Sequence, residues 1–262
     1  MPVPFRIPVD GAAIEGELHA RDGVPLVLVH GFGGTRRDWD ALIPDLAGDR
    51  PLLTYDQRGF GQSTTASGQA FSHADDLLAV LDGLEIERAD LCGMSLGGAT
   101  VTGFALDHPE RVRRLVLASP LLAGWRWSAD WIERWKAIGR AARAGDLALA
   151  RALWWHHPLF DSVRETPGGA VQHSAIAQYH GDQWIRDDQR ASGPDADRLA
   201  GLRMPMLLLV GERDLPDFRG IAYTITTRAP DVTRIDYAGI GHMLNLEAPH
   251  AIARDILRFL AR

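Results

Sequence analysis

The chain has one cysteine, no repeat period, no low-complexity tract and no apolar run long enough to cross a bilayer. Each shortage excludes something. With Cys92 alone there is no internal disulfide, which fits a reducing compartment, and its place in an apolar run marks it as a packing residue. No Cys/His spacing resembles a zinc site, and the adjacent His156 and His157 point in different directions. The start, Met1-Pro2-Val3-Pro4-Phe5, lacks a charged segment leading into an apolar one, so a soluble cytoplasmic protein is expected. A net charge of −6 with interspersed signs leaves no basic stripe for a polyanion, so nucleic acid is not an expected partner. Gly31, Gly33 and Gly34 lack the full glycine spacing of a dinucleotide loop. The remaining partner class is small molecules.

What is present is enough apolar sequence, 46% of 262 residues, for one large domain. Short β-rich runs at 24–30, 51–55, 89–92, 114–118, 206–210 and 233–237 alternate with segments that read as helices. This alternation predicts an α/β fold with a mostly parallel central sheet and helices on both faces. Two further runs, 4–9 and 13–20, flank Asp10-Gly11 and predict an antiparallel hairpin at the start. Ser72 is positioned to cap a helix over 74–84, Pro109 to stop the one beginning at Leu96, and 248–261 forms an amphipathic helix with Ile252, Ile256 and Leu260 on one stripe.

The strand rhythm stops between Ser119 and about Arg203. Seven of the eight tryptophans fall there. An insertion of that size after the sixth strand predicts a helical cap, residues 120–203, over a core formed by 1–119 and 204–262.

The most specific motif is Gly93-Met94-Ser95-Leu96-Gly97, between a strand and a helix. A nucleophile on such a turn is held at strained backbone angles, and small flanking residues let strand and helix approach, which makes Ser95 the expected nucleophile. His30-Gly31-Phe32-Gly33-Gly34 follows an earlier strand and can aim the Phe32 amide at a developing oxyanion, with the amide of Leu96 or Met94 as its partner. His30 itself is read as a brace for that loop. A serine hydroxyl needs an imidazole to take its proton, and His242, in Gly241-His242-Met243 after the last strand, is the best placed of ten. The acid that orients it is expected after the preceding strand, in Gly211-Glu212-Arg213-Asp214. Asp214 is the first candidate, with Asp217 and then Glu212 behind it.

Taken together, these motifs, with Tyr55-Asp56-Gln57-Arg58-Gly59 and His108-Pro109-Glu110-Arg111-Val112, resemble the α/β-hydrolase superfamily over nearly the whole chain. Within it the resemblance is to the branch of 3-oxoadipate enol-lactonases and small carboxylesterases. It implies hydrolysis of an ester or lactone through an acyl-enzyme, with no cofactor and no metal, and with Ser95, Asp214 and His242 as the triad. A serine at the turn argues against relatives that form an alkyl-enzyme on an aspartate. A C–C hydrolase of a diketone-like compound, a cofactor-free perhydrolase and a ligand sensor with slow hydrolysis stay open on the same fold. In the cap, Trp127, Trp131 and Trp135 recur every fourth residue and Trp154-Trp155 follow. Such a stripe packs a core or lines a pocket. Trp131, Trp154 and Trp155 are the expected substrate contacts.

Overall fold

A computed structural model describes every residue except Met1, Asp49, Ser67, Asp187, Ala191 and Ser192. The chain opens on the expected hairpin. Strands β1 (Val3–Val9) and β2 (Ala12–His19) pair antiparallel, Val9 opposite Ala12, and Gly11 takes φ +66° in the turn. β2 also pairs antiparallel with β4 (Leu52–Tyr55). From there the sheet is parallel through β3 (Leu26–Val29), β5 (Ala89–Met94), β6 (Val112–Ala118), β7 (Met206–Gly211) and β8 (Val232–Tyr237). The order across the eight strands is β1-β2-β4-β3-β5-β6-β7-β8.

Every residue of β3, β4, β5 and β7 is buried, because a parallel strand covered on both faces has no polar side to show. β8, at the edge, is only half-buried and carries the Arg234–Asp236 ion pair. The eleven described α-helices are α1 (Ile43–Leu46), α2 (His73–Gly83), α3 (Leu96–Asp107), α4 (Ala129–Arg143), α5 (Leu147–Trp155), α6 (Gly168–Gln178), α7 (Asp182–Ile185), α8 (Asp195–Arg198), α9 (Pro216–Arg228), α10 (Leu244–Glu247) and α11 (Pro249–Leu260). Ser72 caps α2 by accepting from the Asp75 amide, α3 ends two residues before Pro109, and Ile252, Ile256 and Leu260 of α11 are buried.

The chain leaves β3 for β4 on one side and then crosses to β5 on the other. That reversal opens a crevice at the carboxyl ends of β3 and β5, the position where open α/β sheets bind ligands. Helices α4 to α8 all lie between β6 and β7, and among the described residues that stretch contributes no strand. α4 packs on α5 and α7, and α5 on α6. Asp217, at the start of α9, ties this stretch to the sheet by accepting from the Trp125 indole (3.2 Å), the Ser128 amide (3.1 Å) and the Ser128 hydroxyl (2.6 Å). Among the described residues no helix is long and apolar enough to cross a membrane.

Candidate active site

Ser95 stands on the turn between β5 and α3 at φ +51° and ψ −112°. For a residue with a Cβ this costs about 1–3 kcal/mol, so the surroundings must impose it. They do so through three backbone bonds: its N–H donates to the Ala118 carbonyl (3.1 Å), and its own carbonyl accepts from Leu121 (2.8 Å) and Ala99 (3.2 Å). The glycines on either side have a steric reason. A Cβ on Gly93 would run into the Gly97 carbonyl, and one on Gly97 into the carbonyl of Val29. Gly31, across the crevice, leaves room for the Ser95 Cβ, which would stand 3.3 Å from a Cβ there.

Two residues beside this turn have backbone amides with no acceptor among the described residues. Among the described residues neither Phe32 nor Leu96 donates to a protein carbonyl, and both residues line the cavity that holds Ser95. Leu96 opens α3, where the first amides of a helix have no partner within it. Met94, the other expected donor, is the last residue of β5, in register with Ala118 of β6.

His30 braces the loop that carries Phe32. Its Nε2 accepts from the Gln57 amide (2.9 Å), so Nδ1 carries the proton and donates to the Gly31 carbonyl (2.8 Å). Burial lowers its pKa and keeps the ring neutral. The Gln57 side chain completes the brace, donating to the His30 carbonyl (2.8 Å) and accepting from Thr100 (2.7 Å). Beside it, Asp56 accepts from the Arg36 and Gln62 amides and pairs with the Arg36 guanidinium, while Arg58 pairs with Asp76.

On the other wall His242 and Asp214 meet. His242 Nδ1 is 3.0 Å from each carboxylate oxygen of Asp214, both residues are buried, and Nε2 has no partner among the described residues. A proton on Nδ1, between two carboxylate oxygens, leaves Nε2 as the acceptor facing the cavity it shares with Ser95. The Phe218 ring packs 4.2 Å from the imidazole. Asp217 is spent on Trp125 and Ser128, and Glu212 accepts from the Gly239 amide (3.0 Å), so neither contacts the ring. One residue the sequence reading passed over is Glu247. Its carboxylate accepts from the amides of Gly241 (2.8 Å) and Met243 (3.1 Å), on either side of His242, and from the Ser162 hydroxyl. A carboxylate five residues past the histidine was the available signal.

The cavity above these groups holds about 450 Å³. Trp127, Trp131, Trp135 and Trp154 line it, with Trp127 and Trp131 stacked at 4.4 Å. Trp155 is not among the lining residues, contrary to expectation. It turns away, against Phe160, His173 and the Arg164 guanidinium, because neighbouring residues on α5 project about 100° apart. Cys92 is wholly buried in β5, where burial pushes its thiol pKa up. Among the described residues no three His, Cys, Asp or Glu side chains stand together as a metal ion would need.

Residues 24–249 match the family model described as alpha/beta hydrolase fold. The chain belongs to that family. Its relatives include the dihydrolipoyllysine-residue acetyltransferase component of the acetoin cleaving system of Pseudomonas putida, 28% identical across all of this chain and 70% of that protein. A carboxylesterase of Bacillus subtilis is 28% identical over 91% of this chain and 79% of its own. The 2-hydroxymuconate semialdehyde hydrolase of a Pseudomonas species reaches 41%, but over 113 residues, 40% of each protein. Among solved structures, a hydrolase from Pseudomonas aeruginosa superposes with a TM-score of 0.80 at 27% identity, covering 100% of this chain and 98% of that one. The enol-lactonase from Burkholderia xenovorans, at 20% identity, shares the fold with a TM-score of 0.83 over 98% of this chain and all of its own.

Proposed function

We propose that this α/β-hydrolase is a serine hydrolase that cleaves a carboxylic ester or lactone through an acyl-enzyme. The observation that carries the reading is the pairing, in one cavity, of a serine at φ +51° with a histidine whose Nδ1 is fixed by Asp214 and whose Nε2 is unpartnered. Ser95 gives its proton to His242 Nε2 as its oxygen attacks the carbonyl carbon. The Phe32 and Leu96 amides take the oxyanion, helped by the N-terminal end of α3. His242 then protonates the departing alkoxide and activates the water that releases the acid. The scheme draws on no metal or organic cofactor. Residues 120–203 serve as a lid that excludes water over a catalytic body formed by 1–119 and 204–262. Its tryptophan-rich wall and the volume of about 450 Å³ suit a compact, mostly apolar substrate.

A second reading, hydrolysis of a C–C bond in a diketone-like compound, is favoured by the 41% identity to the 2-hydroxymuconate semialdehyde hydrolase. The test compares turnover of short nitrophenyl esters with that of a vinylogous diketone panel, alongside fluorophosphonate labelling. Labelling of Ser95 with turnover of the esters supports the proposal. Turnover of the diketones alone replaces it with the second reading.

A further inference from the structure

Three buried side-chain polar atoms of residues lining the cavity have no hydrogen-bond partner among the described residues: His242 Nε2, Asp38 Oδ2 and Trp154 Nε1. The proton transfer above uses the first. Nothing yet uses the other two, although Asp38 is 1% exposed and Trp154 2%. A buried polar group without a partner marks a place where a ligand or a water completes the set.

Both groups abut the loop that carries Phe32. A Cβ on Gly33 would stand 2.8 Å from Trp154 Nε1, and one on Gly34 would run into Asp38 Oδ2. The indole N–H and the free carboxyl oxygen therefore lie against the two residues that directly follow Phe32. Asp38 is held there at both ends. Its Oδ1 accepts from the Thr35 amide (3.3 Å), closing a capping box, and its carbonyl accepts from Asn245 of α10 (3.0 Å). Among the described residues no cation pairs with it: Arg36 is engaged by Asp56, and Arg37 by Glu17 and Asp40.

We propose that Asp38 and Trp154 form a polar subsite beside the Phe32 loop that binds a second oxygen of the acyl group, a hydroxyl or ketone a few bonds from the scissile carbonyl. The proposal rests on the acyl-transfer reading of Ser95 and His242. An indole N–H only donates, so its partner must be an acceptor oxygen. Burial raises the Asp38 carboxyl to about 7, and Asp56 and Asp40 push it the same way, so below that pH the group is protonated and also donates. The other titratable groups on elements packed against it are Tyr55 of β4, His173 of α6 and Glu247 of α10, with His242 across the cavity; Glu247 is already bonded to the Gly241 and Met243 amides. A plain hydrocarbon acyl group leaves both donors unpaired. An oxygenated one satisfies them, and sites of this kind discriminate strongly.

The test measures kcat/KM of the wild-type protein for nitrophenyl pentanoate and nitrophenyl 4-oxopentanoate, whose ketone oxygen can only accept. At about pH 6 the keto ester is expected to be preferred by at least roughly tenfold. That preference declines above about pH 7 as Asp38 loses the proton it donates. Trp154→Phe, which keeps the ring and removes the donor, reduces the preference about tenfold. Asp38→Asn keeps the acceptor for Thr35 and makes the preference independent of pH. Equal kcat/KM for the two esters in the wild type, or a preference that neither variant alters, overturns the subsite and leaves water as the partner of both groups. Turnover of neither ester overturns the ester reading itself and this inference with it.

Discussion

His242 Nδ1 lies 3.0 Å from both oxygens of Asp214, so a single carboxylate fixes the tautomer and the plane of the ring together. Asp214→Asn replaces one acceptor with a donor and favours the wrong tautomer. It is expected to lower kcat on the order of 10⁴-fold with the fold intact. Asp217→Asn leaves the ring untouched and loosens the tie to Trp125 and Ser128, so its effect is expected in KM and a few degrees of Tm. Steady-state kinetics on one ester decides the matter. The opposite ranking of the two variants would make Asp217 the orienting acid.

Ser95→Ala is expected to remove fluorophosphonate labelling and lower kcat by on the order of 10³ to 10⁶. Ser95→Gly carries a further expectation, because glycine accepts φ +51° without the strain that serine bears. Its activity should be lost equally, while stability rises by about 1 kcal/mol, worth roughly 2–4 °C in Tm. A thermal melt showing Gly no more stable than Ala at this position would mean that the turn stores no strain.

The strands were legible because burial on both faces leaves runs of Leu, Val and Ile with few polar residues, and all eight were located within about two residues of their limits. Ser95, Asp214 and His242 could be proposed from sequence because each sits in a glycine-bearing loop after a strand, a local pattern, and the fold places Ser95 and His242 on one cavity with Asp214 against the imidazole. The helical stretch between β6 and β7 was not legible at the level of single side chains. Trp154 and Trp155 are adjacent, and which of them faces the cavity depends on how α5 docks on α4 and α6, a tertiary matter. Asp38 was not singled out in sequence, and its capping box with Thr35 is a local feature of the fold. Only the fold brings it beside the Phe32 loop.

His73 is 2% exposed, its two ring nitrogens have no hydrogen-bond partner among the described residues, and it is held between Phe60 and Phe71. Burial, with His30 and Arg58 adding to it, lowers its pKa from the ordinary 6.5 to about 3. The unfolded chain therefore takes up a proton that the folded chain refuses. Stability is held above pH 6.5 and lost as pH falls from there toward about 3, with His73 adding about 1.4 kcal/mol per pH unit to the slope. His157, lowered to about 4 chiefly by burial, acts in the same direction. His73→Phe fits the aromatic surroundings and removes two unbonded nitrogens. It is expected to be neutral or stabilising near pH 7 and to flatten the acid limb in urea melts. An unchanged acid limb would assign the loss to other groups.

The two tryptophans once expected to act alike should now separate. Trp131 lines the cavity, stacked on Trp127 and edge-on to Trp154, with its ring only partly buried. Trp131→Ala opens volume next to the substrate and removes little from the core. KM for a small ester is expected to rise on the order of tenfold, about 1.4 kcal/mol of binding, with preference shifting toward bulkier acyl groups. Trp155 packs on Phe160 and His173 beneath the Arg164 guanidinium and is not in the cavity wall. Trp155→Ala should cost roughly 2 kcal/mol of stability, below the full value for a buried aromatic because the ring is only partly covered, and leave the substrate profile as it was. Thermal melts and a panel of esters of increasing acyl length, run on both variants, make the comparison. A profile shifted by Trp155→Ala but not by Trp131→Ala would mean that the substrate meets the opposite face of α5.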